Sequence, residues 1–261
     1  MLRRPLFALA ACAILTLVPL ASPAHADDKP AFDFKAKRYE IKIIFDEAIK
    51  ADAPLADALM KDGKRWAERN NYEAQRAQKK EPELFRDGMN WSFERSYATE
   101  SVVADRYVSI IRTEYTFTGG AHPNTAIETL LWDRTEKRFV SIRRFFRETD
   151  DDGTTMSALR QNVIAALTAE KKERGTLDNG MDWQKDIAPK LIGIGPVTLA
   201  PSTEAGKSSG LLFSYGPYEV GAYAEGSYQA FVPYKTFAQF LSPEGEAIFT
   251  GTRPAPKKDD R

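Results

Sequence analysis

Polar and apolar positions along this chain change spacing several times, and each change predicts an element. Leu6 to Leu20 is an almost unbroken apolar run. From Arg38 to Phe45, Tyr39, Ile41 and Ile43 alternate with charged neighbours, the period of a half-buried strand. Asp52 with Pro54 marks a helix start, and Leu55, Leu59 and Trp66 give a partial apolar stripe as far as Tyr72. Gly63 weakens that helix near its middle. Gln75 to Asp87 is charged and broken by proline, so it is expected to be a loop. Trp91, Phe93 and Tyr97 alternate as a second strand. Val102-Val103 and then Arg106 to Phe117 extend it into a long hairpin or meander.

The later half repeats the mixture. Ile127 to Trp132 and Arg138 to Ile142 flank the polar turn Asp133 to Lys137 as a hairpin. Thr154 to Arg174 is the clearest helix, with Met156, Leu159, Val163, Ala166 and Leu167 on one face and Gly175 as its stop. A shorter helix is expected from Trp183 to Leu191. Leu211 to Tyr215 and Gln229 to Tyr234 read as strands joined by a glycine- and tyrosine-rich connection, and one or two helical turns follow from Thr236 to Leu241. The pattern predicts the α+β class: two small mixed units with antiparallel strands and one or two packed helices each. The division expected is a leader over residues 1–26, units at 27–118 and 119–250, and a frayed, charged tail at 251–261.

The first run changes the chemistry available. A basic start at Arg3 and Arg4, the apolar run and the small-residue site Ala24-His25-Ala26 make a secretory leader, too short for a membrane span, with cleavage near Ala26. Leu9-Ala10-Ala11-Cys12 has the form of a lipoprotein box, but it leaves about half of a normal 7–15 residue apolar core before the cysteine. Lipidation at Cys12 is therefore not expected. The leader serves periplasmic and fully secreted proteins alike.

Cleavage would remove Cys12 and His25, leaving one histidine and no cysteine. Disulfides, cysteine nucleophiles and zinc sites of cysteine and histidine are then excluded, and no metal or other cofactor is expected. Basic and acidic residues number 37 each, and Arg3 and Arg4 leave with the leader, so the mature chain carries a net charge near −2. That balance argues against a nucleic-acid binder, and the mature chain has no second apolar stretch of membrane-spanning length.

The remaining histidine lies in Gly119-Gly120-Ala121-His122-Pro123-Asn124, between two strand-like runs. A rare side chain held by glycine and proline on a sheet rim is a candidate binding residue. The second break in regular pattern is Tyr215-Gly-Pro217-Tyr218-Glu-Val-Gly221-Ala-Tyr223, followed by Glu225 and Tyr228. Each feature also has a plain structural explanation. His122 would pin its turn through a backbone carbonyl, and Tyr215, Tyr218, Tyr223 and Tyr228 would pack in the sheet. Asp150-Asp151-Asp152-Gly153 lacks the downstream spacing of a calcium loop and reads as an acidic helix start. Nucleophile-elbow, zinc-protease and phosphate-loop patterns are missing. No catalytic residues are assigned, although paired carboxylates such as Glu114, Glu219 and Glu225 would suffice for glycoside hydrolysis.

Tyr115-x-Phe117-x-Gly119-Gly120-Ala121-His122-Pro123-Asn124, then Trp132-Asp133, Phe139 to Ile142 and Phe145-Phe146, resemble the opening of a widespread bacterial domain of unknown function. The segment from Phe213 through Pro217-Tyr218 and Gly221 to Pro233-Tyr234 resembles its other landmark. The domain commonly follows a smaller partner, which Tyr39 to Ser101 resembles. This pair occurs in the outer part of RsiV-like anti-sigma factors and in PdaC-like peptidoglycan deacetylases. The resemblance implies recognition of cell-wall glycan, or of an enzyme that cuts it such as lysozyme. Sigma-factor control and deacetylation are not expected to transfer, since the cytoplasmic segment and the metal-binding histidines are not seen here. The ligand-binding residues expected are Gly119, Gly120, His122, Pro123, Asn124, Tyr218, Gly221 and Tyr223, with Pro217 also matching the motif. A carboxylate-based glycan hydrolase and a ligand-free structural envelope protein are the alternatives.

Overall fold

The computed structural model describes residues 29–255 except 178, 179 and 181. The expected leader, with Cys12 and the cleavage point after Ala26, lies outside these residues, as does the end of the tail. The fold is of the α+β class. β1 (Phe32–Lys35) and β2 (Tyr39–Phe45) form an antiparallel pair, and α1 (Glu47–Ala51) and α2 (Ala53–Lys80) carry the chain back to β3 (Trp91–Val103). β3 lies parallel to β2, so the helices between them form a crossover, and this pair departs from the antiparallel strands expected. β4 (Tyr107–Phe117), β5 (Asn124–Asp133) and β6 (Arg138–Val140) complete a six-stranded sheet in sequential order. The β4–β5 ladder runs from Tyr107↔Asp133 to Thr116↔Asn124, so the sheet continues across residues 118 and 119.

α2 is longer than the apolar stripe suggested. Residues 75–80, expected in a loop, remain helical, because Ala74 is buried, Ala77 packs against the same core and no breaker intervenes before Pro82. A 3₁₀ segment, Pro82–Gly88, follows. The mid-helix glycine has a packing reason: a Cβ on Gly63 would lie 2.8 Å from Ile43 Cδ1, where the helix meets β2. This face also holds a charged network. The Arg95 side chain, 4% exposed, donates to Asp62 Oδ2 at 2.9 Å and Glu114 Oε1 at 2.5 Å and lies over the Trp66 ring. Trp66 Nε1 donates to Glu114 Oε2 at 3.1 Å.

α3 (Thr154–Arg174) has the predicted bounds, and Gly175 ends it in the left-handed conformation at φ 70°. Met156, Leu159, Val163 and Leu167 are fully buried on it, each worth about 1.5–3 kcal/mol relative to exposure. The helix expected from Trp183 to Leu191 is instead a 3₁₀ turn, Trp183–Asp186, followed by α4 (Leu191–Ile194). β7 (Val197–Pro201), β8 (Ser208–Tyr215) and β9 (Tyr228–Pro233) make a second, antiparallel sheet against α3. Two 3₁₀ turns at 234–240 and α5 (Pro243–Ile248) follow.

The edge of β7 is buried against the face of the larger sheet. Hydroxyls replace a neighbouring strand: Leu199 N–H donates to Ser109 Oγ at 3.1 Å, Val197 N–H to Thr129 Oγ1 at 2.8 Å, and Ser101 Oγ donates to Leu199 O at 2.6 Å. An edge buried without such partners would leave its polar groups unsatisfied.

A second ionic knot fastens the base of the β4–β5 hairpin. Asp133, with no solvent exposure, accepts from Arg106 at 2.7–3.0 Å, from Arg144 at 2.9 Å and from the N–H groups of Thr135 and Glu136. Burial alone would raise its pKa, but the Arg106 fork and the two backbone donors outweigh it and hold it down to about 2. A depressed folded pKa gives stability that is present above the unfolded value near 3.8 and lost as pH falls. Asp133 should therefore contribute about 2 kcal/mol that disappears between roughly pH 4 and pH 2. Urea unfolding as a function of pH checks this, and Asp133→Asn should lack that part of the pH dependence.

Candidate functional site

The site grows from two loops. At the turn of the β4–β5 hairpin, Gly119 and Gly120 take φ values of 99° and 101°, which side-chain-bearing residues rarely adopt. This reversal turns His122 back against the molecule. Its Nδ1 lies 3.0 Å from the Pro123 carbonyl oxygen and its Nε2 lies 3.3 Å from the Tyr218 hydroxyl. A neutral ring protonated on Nδ1 satisfies both contacts, donating to Pro123 and accepting from Tyr218.

The second loop leaves β8 at Gly216. Its first turn is closed twice: Gly216 N–H donates to Glu219 Oε2 at 2.8 Å, and Glu219 N–H donates to Gly216 O at 3.2 Å. Tyr218, inside this turn, has φ 73° and is 55% exposed. A bulky residue in the left-handed region stores about 1–3 kcal/mol, and such strain clusters at ligand-binding positions.

What holds the far side of this loop is buried. Lys171, the last inward residue of α3, has no solvent exposure and donates to Glu225 Oε2 at 2.9 Å. The same oxygen accepts from Tyr228 Oη at 2.5 Å, while Glu225 Oε1 accepts from Ala222 N–H at 2.9 Å. The ammonium also sits 4.3 Å from the centre of the Tyr228 ring. Gly221 lies buried beneath the loop, and a Cβ there would come within 2.5 Å of Glu225 Oε2 and 3.0 Å of Lys171 Nζ. A glycine is required for the pair to close.

The two loops meet. The His122 and Tyr223 rings stack with centroids 3.8 Å apart and planes 19° apart. Tyr218 lies 5.4 Å from Tyr223 and 6.0 Å from His122, tilted to both. Three rings from positions about a hundred residues apart therefore form one surface cluster, with Tyr218 the most exposed. The other residues expected in the site shape it: Gly119, Gly120 and Pro123 set the hairpin end, exposed Asn124 opens β5, and Gly221 admits the ion pair. The tyrosines divide evenly. Tyr215 is in the core with its hydroxyl on Ile194 O at 2.6 Å, and Tyr228 is buried in the Glu225 contact. Burial, then the nearby Glu219, pushes the Tyr215 phenol up.

Sequence reasoning missed Lys171. A signal existed: a lysine continues the apolar stripe one turn beyond Leu167, where a solvent-facing residue would break the pattern. The aspartates at 150–152 precede α3, and Glu148 rather than an aspartate accepts the Thr155 N–H, at 3.0 Å. No group of three candidate metal ligands occurs among the described residues.

Removing one partner of a buried pair strands the other charge, so Lys171→Met should lower stability by about 3–5 kcal/mol. Chemical denaturation measures this, and loss of near-ultraviolet tyrosine dichroism should accompany it as the loop loosens.

Residues 149–235 match a family described as Protein of unknown function (DUF3298). That stretch holds Lys171 and the whole second loop, while His122 precedes it. No curated protein matches the chain. Two crystal structures share its fold. One is of a DUF3298 family protein from Pseudomonas aeruginosa PAO1, 17% identical, covering 84% of this chain and 91% of that one with a TM-score of 0.50. The other is of a DUF3298 member from Bacteroides fragilis NCTC 9343, 16% identical, covering 83% and 96% with a TM-score of 0.52. The chain thus carries a DUF3298-like segment over residues 149–235, within a fold shared with proteins of that family.

Proposed function

We propose that this chain is an exported, non-catalytic recognition module that binds through the His122–Tyr218–Tyr223 cluster, with a cell-wall-cleaving enzyme such as lysozyme as its ligand. The observation that carries the reading is Tyr218: a strained, projecting aromatic ring, held ready by a hydrogen bond to His122. A rigid ring with an apolar body and a polar tip makes an effective anchor in a partner's cleft, because little freedom is lost when it docks. Peptidoglycan itself is the second ligand, supported by the exposed ring of Tyr218, whose face suits sugar stacking. Export rests on the leader. No helix among the described residues is long and apolar enough to cross a membrane.

The glycan-hydrolase reading has less support. Glu114 is engaged by Arg95 and Trp66, and Glu225 by Lys171 and Tyr228, so two of the three carboxylates considered for catalysis are structural.

Titration calorimetry with lysozyme and, separately, co-sedimentation with purified peptidoglycan test the proposal. Tyr218→Ala should weaken binding by about 10- to 100-fold, the range of an interface anchor, and His122→Ala with Tyr218→Ala should abolish it with thermal unfolding little changed. Tyr218→Gly should bind as poorly yet gain up to about 1 kcal/mol of stability, because glycine tolerates the positive φ. Absence of saturable binding to either ligand would leave the structural-protein reading, and release of reducing sugar would establish the hydrolase.

A further inference from the structure

We propose that the outer edge of β1 pairs with the same edge of a second copy of this chain, antiparallel and about a two-fold axis through Phe34. The inference is separate from the recognition reading, because the ring cluster sits on the β4–β5 turn and β1 is an edge strand of that sheet. Among the described residues, no strand pairs with the outer side of β1. Backbone parity fixes which groups are free there. Phe34 lies opposite Ile41, Phe32 lies opposite Ile43, and Ala36 N–H donates to Tyr39 O at 2.9 Å. Hydrogen-bonded pairs alternate along an antiparallel ladder, so residues 32, 34 and 36 direct their N–H and C=O groups at β2. Asp33 and Lys35 direct theirs outward.

A two-fold through Phe34 sets Asp33 opposite the second copy's Lys35, with the outward donors of each facing the acceptors of the other. An axis on Asp33 or Lys35 would oppose like charges, and an axis between two residues would leave outward groups unmatched. The charges inside the chain already follow the same rule: Asp33 lies opposite Lys42, and Lys35 opposite Glu40. The proposed pairing continues this chequerboard across the axis, and unlike charges directly across strands stabilise a sheet. The other face of β1 supplies an apolar reason. A cavity of about 140 Å³ lies between β1 and α2, with Phe32, Phe34, Ile41 and Ala67 in its wall. The second copy's Phe34 comes beside Phe34 on this face, at the close spacing of a non-hydrogen-bonded pair, and covers apolar wall that a single chain leaves open.

Sedimentation velocity of a chain beginning at Asp27, over a series reaching about 1 mM, should show a monomer–dimer equilibrium. Asp33→Lys and Lys35→Asp should each weaken it at least about tenfold, and an equimolar mixture of the two variants should restore the dimer, because unlike charges then meet across the axis. Cysteine reads the register, since a chain beginning at Asp27 has none. Phe34→Cys should form a disulfide-linked dimer on mild oxidation, its paired Cα atoms being about 4.5 Å apart. Phe32→Cys, about 13 Å from its counterpart along the strands, should not. Far-ultraviolet dichroism checks that each variant is folded, and the cysteine pair decides the matter where a charge variant is not. A monomer throughout the series, charge variants that associate as tightly as the unaltered chain, or a mixture that stays monomeric would overturn the assignment. So would cross-linking at 32 as readily as at 34. Tighter association of Lys35→Thr would overturn it too, by marking the lysine as a guard against edge pairing.

Discussion

The arrangement at the surface depends on one buried contact, the pair between Lys171 and Glu225. Neither charge would be stable alone in that position, since desolvating an ion costs several kcal/mol unless a partner and further hydrogen bonds compensate. The compensation is supplied locally: Glu225 accepts from Lys171, Tyr228 and Ala222 N–H, and Lys171 faces the Tyr228 ring. Apart from Lys171 itself, these groups belong to the second loop or its immediate flank. Satisfying the pair therefore fixes where the loop turns, and with it the position of Tyr223 against His122. The absence of a side chain at the motif glycine Gly221 is explained by the same requirement.

A loop so fixed reaches the hairpin only because the two sheets are joined without slack. The seam uses the hydroxyls of Ser101, Ser109 and Thr129 in place of a strand, so the buried edge of β7 finds both donors and acceptors at set positions. Hydroxyls specify register in a way that an apolar seam would not, since a shifted β7 would strand its N–H groups. At the other end of the hairpin, the Asp133 knot ties β4 and β5 to Arg144, which also holds Glu244 of α5. The fold thus has rigid supports on both sides of the ring cluster, and the strain at Tyr218 is sustained by them.

Much of this was legible in sequence where local physics decides the outcome. α3 was readable to the residue, since five apolar positions at helical spacing end at a glycine suited to the left-handed cap. The strands on either side of Gly119 and Gly120 followed from alternation, and the two irregular, ring-bearing bends marked themselves as special. Elements decided by distant partners were not legible. β7 is short, ends in proline and is held by hydroxyls 68 to 98 residues away. The extension of α2 through residues 75–80 follows from burial of Ala74 against a core that the local charge pattern hides. The Lys171–Glu225 pair joins a helix end to a loop 54 positions later, and neither residue carries a local sign of its partner.

The most direct measurement is the nuclear Overhauser spectrum of a chain beginning at Asp27, in which His122 is the single histidine. The account predicts strong cross-peaks from the imidazole protons to the Tyr223 ring and weaker ones to Tyr218. In Lys171→Met the cross-peaks to Tyr223 should vanish. An imidazole with no tyrosine cross-peaks in the unaltered chain would contradict the account, as would a Tyr223 signal that survives removal of the lysine unchanged.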